Sequence, residues 1–220
     1  MQELLTGKIR LVEQDTLTQA VAAPKTIKPP EQKTKGHSQQ FDDAVMIAGI
    51  VNALYSDKYL LGRKKVQKCL YLLRRHQEKS TEAFKKKAAG PYADTVRYKG
   101  GELIAKNSHY VVATTTKGKG TTFTQGDKIG QALGYIEDWN MQGDIQWLIN
   151  HLKFKKVDDL ELLATVDMAI CDLQEAGTAV SVASIKHLIA TNEEWKAKLD
   201  KETFSDANIA RAIKELKTLL

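Results

Sequence analysis

The sequence predicts an α+β fold, mainly helical, with one β-hairpin around residues 109–124 and a helical C-terminal subdomain. Three observations carry this. Apolar residues recur at helical spacing through 41–78, 127–139, 144–152 and 158–220. Two β-prone runs, 110–116 and 121–124, flank the loop Lys117-Gly118-Lys119-Gly120, the pattern of a hairpin. The composition, 42% hydrophobic with 14 Gly and four Pro in 220 residues, is that of a globular protein.

Residues 1–12 read as a short amphipathic piece with Leu4, Leu5, Ile9 and Val12 apolar. The stretch 13–40 is Gln, Thr, Lys and Pro with few large apolar side chains, too few to offset its ordering entropy, and reads as a flexible linker. Asp42 or Asp43 then caps a helix whose residues Val45, Ile47, Ala48, Ile50, Val51 and Leu54 run nearly all round, as in a buried helix. Tyr59-Leu60-Leu61-Gly62 breaks it, and a second helix spans 63–78. There Val66, Cys69, Leu70 and Leu73 form one apolar stripe, with Lys64, Lys68 and Arg75 on nearly the opposite side. Gly90-Pro91 stops a basic run, and Tyr98-Lys99-Gly100-Gly101 is a turn. Helices follow the hairpin at 127–139 and 144–152, closing a basic helical domain at 41–157. The end piece 158–220 opens at Asp158 and Asp159, with Gly177 at a helix C′ position and Ser181, Asn192 and Ser205 as caps.

Charge is distributed unevenly. The formal net charge is +6, yet residues 61–110 alone carry 13 Lys and Arg against four acids. Such asymmetry points to a polyanion partner, with a solvated helical face as the plain alternative. The expected contacts are Arg63, Lys64, Lys65, Lys68, Arg74, Arg75, Lys85, Lys86, Lys87, Arg97 and Lys99, tracking a phosphate backbone and so giving salt-dependent affinity without sequence information. Tyr71, Tyr92 and Tyr98 are interleaved as base-stacking candidates, although core or turn packing explains each of them as well. Asn107 or the hairpin lysines Lys117 and Lys119 would reach a groove, as a wing does. A helix-turn-helix reading at 207–219, exposing Arg211, Lys214 and Lys217, is weakened by the acidic balance of 158–220.

No catalytic residues, metal ligands or cofactor are expected. Gly118-Lys119-Gly120 lacks the second Gly-Lys-Ser/Thr element of a phosphate loop. The five His (37, 76, 109, 151 and 187) have no metal-ligand spacing, and no Ser sits in a nucleophile elbow. Cys69 and Cys171 cannot form a disulfide framework, which favours a reducing, cytoplasmic setting, and no run is long enough for a membrane span. No small-molecule substrate is evident.

Two strings resemble known families. Met1-Gln2-Glu3-Leu4-Leu5-Thr6-Gly7-Lys8-Ile9-Arg10-Leu11-Val12 resembles the sequence that closes the specificity subunit of type I restriction–modification systems, where it follows the second target-recognition domain. That resemblance implies a C-terminal part of such a subunit, or a separately started product, lacking the recognition domains. Lys65-Val66-Gln67-Lys68-Cys69-Leu70-Tyr71-Leu72-Leu73, with the later Ala89-Gly90-Pro91-Tyr92, is similar to the signatures of the Panacea, or SocA-like, antitoxin domain. Cys69 departs from the usual Leu, and the Thr-rich hairpin lies outside that pattern. This second resemblance implies a largely helical domain that binds partner proteins.

The combined expectation is a non-catalytic C-terminal module of a restriction specificity subunit. It would bind DNA backbone or restriction–modification subunits. The alternative is an antitoxin-like module that meets an acidic partner protein.

Overall fold

The computed structural model describes residues 37–220, so the expected tail 1–12 and most of the linker lie outside the described residues. In chain order the elements are α1 (Gln39–Leu54), β1 (Leu61–Gly62), α2 (Arg63–His76), β2 (Lys85–Lys87), β3 (Gly90–Tyr92), α3 (Asp94–Tyr98) and α4 (Gly101–Asn107). There follow β4 (Val111–Thr116), β5 (Gly120–Gln125), α5 (Ile129–Asp138), α6 (Gln142–Leu152), α7 (Val157–Glu175), α8 (Val182–Thr191), two 3₁₀ turns (Lys196–Asp200 and Glu202–Phe204) and α9 (Asp206–Leu219). The fold is mainly helical α+β, as the periodicity predicts.

Helix α1 is apolar all round and is accordingly covered all round, by α2, α4, α5, α6 and β5. Helix α2 is central too: α1 and α6 cover it together with α7 and β3. The expected hairpin is present. β4 and β5 pair from Val111–Gln125 to Thr116–Gly120, and β1 extends the sheet in the order β1-β5-β4 through Leu61 opposite Phe123. Phe123 is the fully buried residue that pins this sheet to the helices.

The C-terminal helices share the same core. Helix α7 lies against α2 and β3, and α9 and α8 pack on its far side. Gly177 holds the left-handed C′ position, with Thr178 N–H on Leu173 O (2.8 Å) and Gly177 N–H on Gln174 O (3.1 Å). Ser181 caps α8 in a reciprocal box with Ser184. Trp195 is fully buried, and its indole N–H donates to Lys87 O at 3.0 Å, tying this region to strand β2.

Several expectations are corrected. The cap of α1 is Ser38, whose hydroxyl accepts from Phe41 N–H at 3.3 Å, not Asp42 or Asp43. Asp43 lies a turn further in and is buried. At the end of the expected linker 13–40 helix α1 has already begun, at Gln39; residues 37–40 are exposed, and the His37 ring centroid lies 4.9 Å from that of Trp139. Lys85–Lys87 and Gly90–Tyr92 form a second, short hairpin where only a basic run and a breaker are expected from sequence. The segment after Asn192 makes 3₁₀ turns, not an α-helix. Among the described residues no helix is long and apolar enough to cross a membrane.

Candidate nucleic-acid interface

Which cations remain available depends on what surrounds α2. Arg74 donates from Nε to Asp43 of α1 at 3.0 Å, both side chains being about 4% exposed. Arg75 donates to Asp167 of α7 at 2.8 Å, and the Tyr71 hydroxyl donates to the same carboxylate at 2.7 Å. Lys68 is 1% exposed and gives its amine to Pro91 O. Burial pushes that amine down to about 7, with Glu161 pulling the other way. Arg63 forks onto Glu102 at 2.7 and 3.0 Å. Lys65 donates to the carbonyls of Lys153 and Lys155 at 2.9 and 3.0 Å, and Lys86 pairs with Asp172 at 2.6 Å.

Six of the eleven expected contacts are therefore engaged inside the fold. The picture of α2 as greasy on one side and cationic on the other is corrected for Lys68, Arg74 and Arg75. Helical spacing identifies residues that share a face, but not what covers it, and here α7 and β3 cover it. A signal for this exists in the sequence. Asp167 is an acid inside the otherwise uncharged, mostly apolar run Ala164-Thr165-Val166-Asp167-Met168-Ala169-Ile170, where a carboxylate is retained only against a partner.

Lys64, Lys85, Lys87, Arg97 and Lys99 remain outside any ion pair among the described residues. In β2 the alternation of the strand turns Lys85 and Lys87 outward, while Lys86 turns in, with its amine 5.5 Å from the Trp195 ring. Arg97 lies 4.4 Å over the ring of Tyr98, which is 57% exposed. Tyr71 is core, and Tyr92 is half-buried.

Two of these cations meet in a groove of about 540 Å³. It is lined by Gly62, Arg63, Lys64 and Lys65 at the start of α2. Tyr92 and Arg97, Lys119 to Thr121 of the hairpin, Ala89 and Val157 complete the lining. No acidic side chain lines it. Arg63 is neutralised by Glu102 behind it, whereas Lys65 faces only neutral carbonyls and so adds charge, although burial lowers its pKa. Gly62 supplies no side-chain cap, so the positive end of α2 adds to the field. Burial raises the Tyr92 phenol, while Arg97 and Arg63 pull it down. Lys119, a minor element of the sequence reading, is central to this geometry. Asn107 ends α4 and is not among the groove's lining residues.

The groove gathers positive charge, and neither thiol lines it. Burial pushes the Cys69 thiol up to about 12 and that of Cys171 to about 11, far from a reactive thiolate. Among the described residues no group of three or more His, Cys, Asp or Glu is placed to hold a metal ion. Arg211, which the disfavoured helix-turn-helix reading would expose, pairs with Asp159 at 3.3 Å and Glu215 at 3.6 Å.

No family model matches the chain, and no curated protein is significantly similar to it. The two strings that resemble the antitoxin signatures do touch in the fold. Lys68 donates to Pro91 O, and the Gln67 amide clasps the Ala93 backbone, accepting from its N–H at 3.2 Å. Gly90, at φ +88, stands where a Cβ would lie 2.7 Å from Thr165 Oγ1, so close packing on α7 requires glycine. These residues form a structural latch between α2, β3 and α7.

Proposed function

We propose that this protein is a non-catalytic cytoplasmic module that binds the phosphate backbone of nucleic acid, acting within a type I restriction specificity subunit. The observation that carries the binding is the groove between α2, α3 and the β4–β5 hairpin, which gathers Lys64, Arg97 and Lys119, beside a Lys65 held on backbone carbonyls, with no acid among its lining residues. Several cations on one concave surface match the spacing of a polyanion better than that of a single carboxylate. The opening string and its resemblance to the tail of specificity subunits supply the context.

The test is anisotropy of a labelled DNA fragment against salt. Affinity should fall steeply between about 50 and about 200 mM salt, and Lys64→Glu or Arg97→Glu should weaken it without lowering the melting temperature. Binding that ignores salt, or none at low salt, removes this reading. Arg74 and Arg75 are unsuitable probes, because their charges hold the fold together.

A second reading, an antitoxin-like protein-interaction module, is favoured by one observation. Tyr59 and Leu60 are 69% and 80% exposed immediately before the groove, and Phe154 is 89% exposed. Exposed large apolar side chains suit a protein interface. Co-expression with the methyltransferase and restriction subunits distinguishes the two: a complex lost in Leu60→Asp but kept in Lys64→Glu favours it.

A further inference from the structure

We infer that the nucleic acid taken by this groove is double-stranded, with the β4–β5 ribbon seated in a groove of the duplex while Lys64 and Arg97 hold flanking phosphates. This rests on the nucleic-acid reading above and adds which form of the polymer fits.

The tip of the ribbon stands clear of the body. The ribbon's inner half is anchored, with Ala113 opposite buried Phe123 and β1 pairing beyond it. Past that level residues 114–120 are exposed. On the facing strand Thr122 still pairs with Gly62 of β1 and Thr121 is buried, so the free part is the end beyond the Thr115–Thr121 pair. A Cβ added at Gly118 or Gly120 would meet nothing within 4 Å, so the tip is clear of the rest of the protein. Both glycines have positive φ (+79 and +85), which closes the ribbon tightly, with Lys119 N–H on Thr116 O at 3.0 Å. Beyond the Thr115–Thr121 pair, Thr116 and Lys117 at about 3.3 Å each carry the turn out by about 7 Å. That reach matches a major groove about 8.5 Å deep, whose width of about 12 Å admits a two-stranded ribbon.

Its chemistry fits the same occupant. The tip presents Lys117 and Lys119, the flanks are threonines, and no Asp or Glu occurs between Glu102 and Asp127. Lys119 lines both ribbon and groove, so the two surfaces are continuous. A single strand, by contrast, is held by open aromatic rings on which bases stack. The one aromatic ring among its described lining residues is that of Tyr92. Tyr92 is half-buried, and neighbouring Tyr98 carries the Arg97 guanidinium over its ring.

The experiment compares a labelled duplex of about two helical turns, its isolated single strand and poly-glutamate, by anisotropy at about 50 mM salt. The duplex should bind about tenfold tighter than the single strand. Lys117→Ala with Lys119→Ala should weaken duplex binding about tenfold and reduce the salt slope by about one to two, with little effect on the single strand. Lys117→Gln alone, the milder variant, should move both quantities in the same direction. A single strand bound as tightly as the duplex overturns the inference. So do tip variants that leave duplex affinity and slope unchanged while Lys64→Glu abolishes binding, an outcome in which the nucleic-acid reading itself survives. Poly-glutamate bound as well as the duplex, or no binding at all, overturns both.

Discussion

Arg74 of α2 and Asp43 of α1 form an ion pair in which each side chain is only about 4% exposed. Burial raises the Asp43 carboxyl even though Arg74 opposes the shift. A pair of this kind adds little over an apolar substitute, yet breaking it strands a charge in the core. Asp43→Ala should lower stability by about 3–5 kcal/mol, read as a fall in the urea midpoint. Asp43→Leu combined with Arg74→Met should recover most of that loss. Equal destabilisation by the single and double variants would show that the pair's geometry is not what matters.

Lys68 predicts a pH dependence. Its folded pKa lies near 7 against an ordinary value of 10.5, so between those limits the unfolded chain holds a proton that the folded protein lacks. Stability should therefore rise with pH across this window, by up to about 1.4 kcal/mol per pH unit from this group. The contribution vanishes above 10.5, and below 7 the full penalty is present. Lys68→Met should flatten the wild-type increase in thermal-melt series across this range. A slope unchanged by the substitution would assign the effect to other groups, among them Lys198, whose amine burial also lowers.

The Tyr71 hydroxyl donates to Asp167, which also accepts from Arg75. Tyr71→Phe removes one donor and leaves the carboxylate its arginine, so the loss should be about 1–2 kcal/mol. Arg75→Met should cost more, since it strands the charge. Paired urea titrations rank the two.

The thiols should be inert in the folded protein. Cys69 is fully buried, and with pKa values near 12 and 11 neither thiol is appreciably ionised at neutral pH. Disulfide-exchange reagents should label Cys69 only as the chain unfolds. Rapid native labelling at Cys69 would contradict the packing of α2.

Trp195 anchors the C-terminal region through burial and its bond to Lys87 O. Trp195→Ala should cost about 3–5 kcal/mol, and Trp195→Phe less, since it retains much of the apolar volume. If the alanine variant melts like wild type, this region contributes little to the common core.

The helices and the main hairpin were legible in the sequence because apolar periodicity records which residues a helix or strand must bury. Ser181 and Gly177 were legible for the same local reason, their cap chemistry being completed within a few residues. The short β2–β3 hairpin was not. Its residues, Lys85-Lys86-Lys87 and Gly90-Pro91-Tyr92, carry no apolar alternation, and the pairing is held by contacts with α2 and α7. The basic segment was legible as a composition, but not as a surface.

By itself the sequence determined a mainly helical α+β chain, its hairpin, its uneven charge and the residue types that could meet a polyanion. Only the tertiary structure decided which cations are available. Arg74, Arg75 and Lys68 turn inward because α1, β3 and α7 bring Asp43, Asp167 and the Pro91 carbonyl to them. Lys64, Arg97 and Lys119, distant in sequence, share one groove. A charged side chain goes where its desolvation is compensated, and its compensating partners lie tens of residues away along the chain.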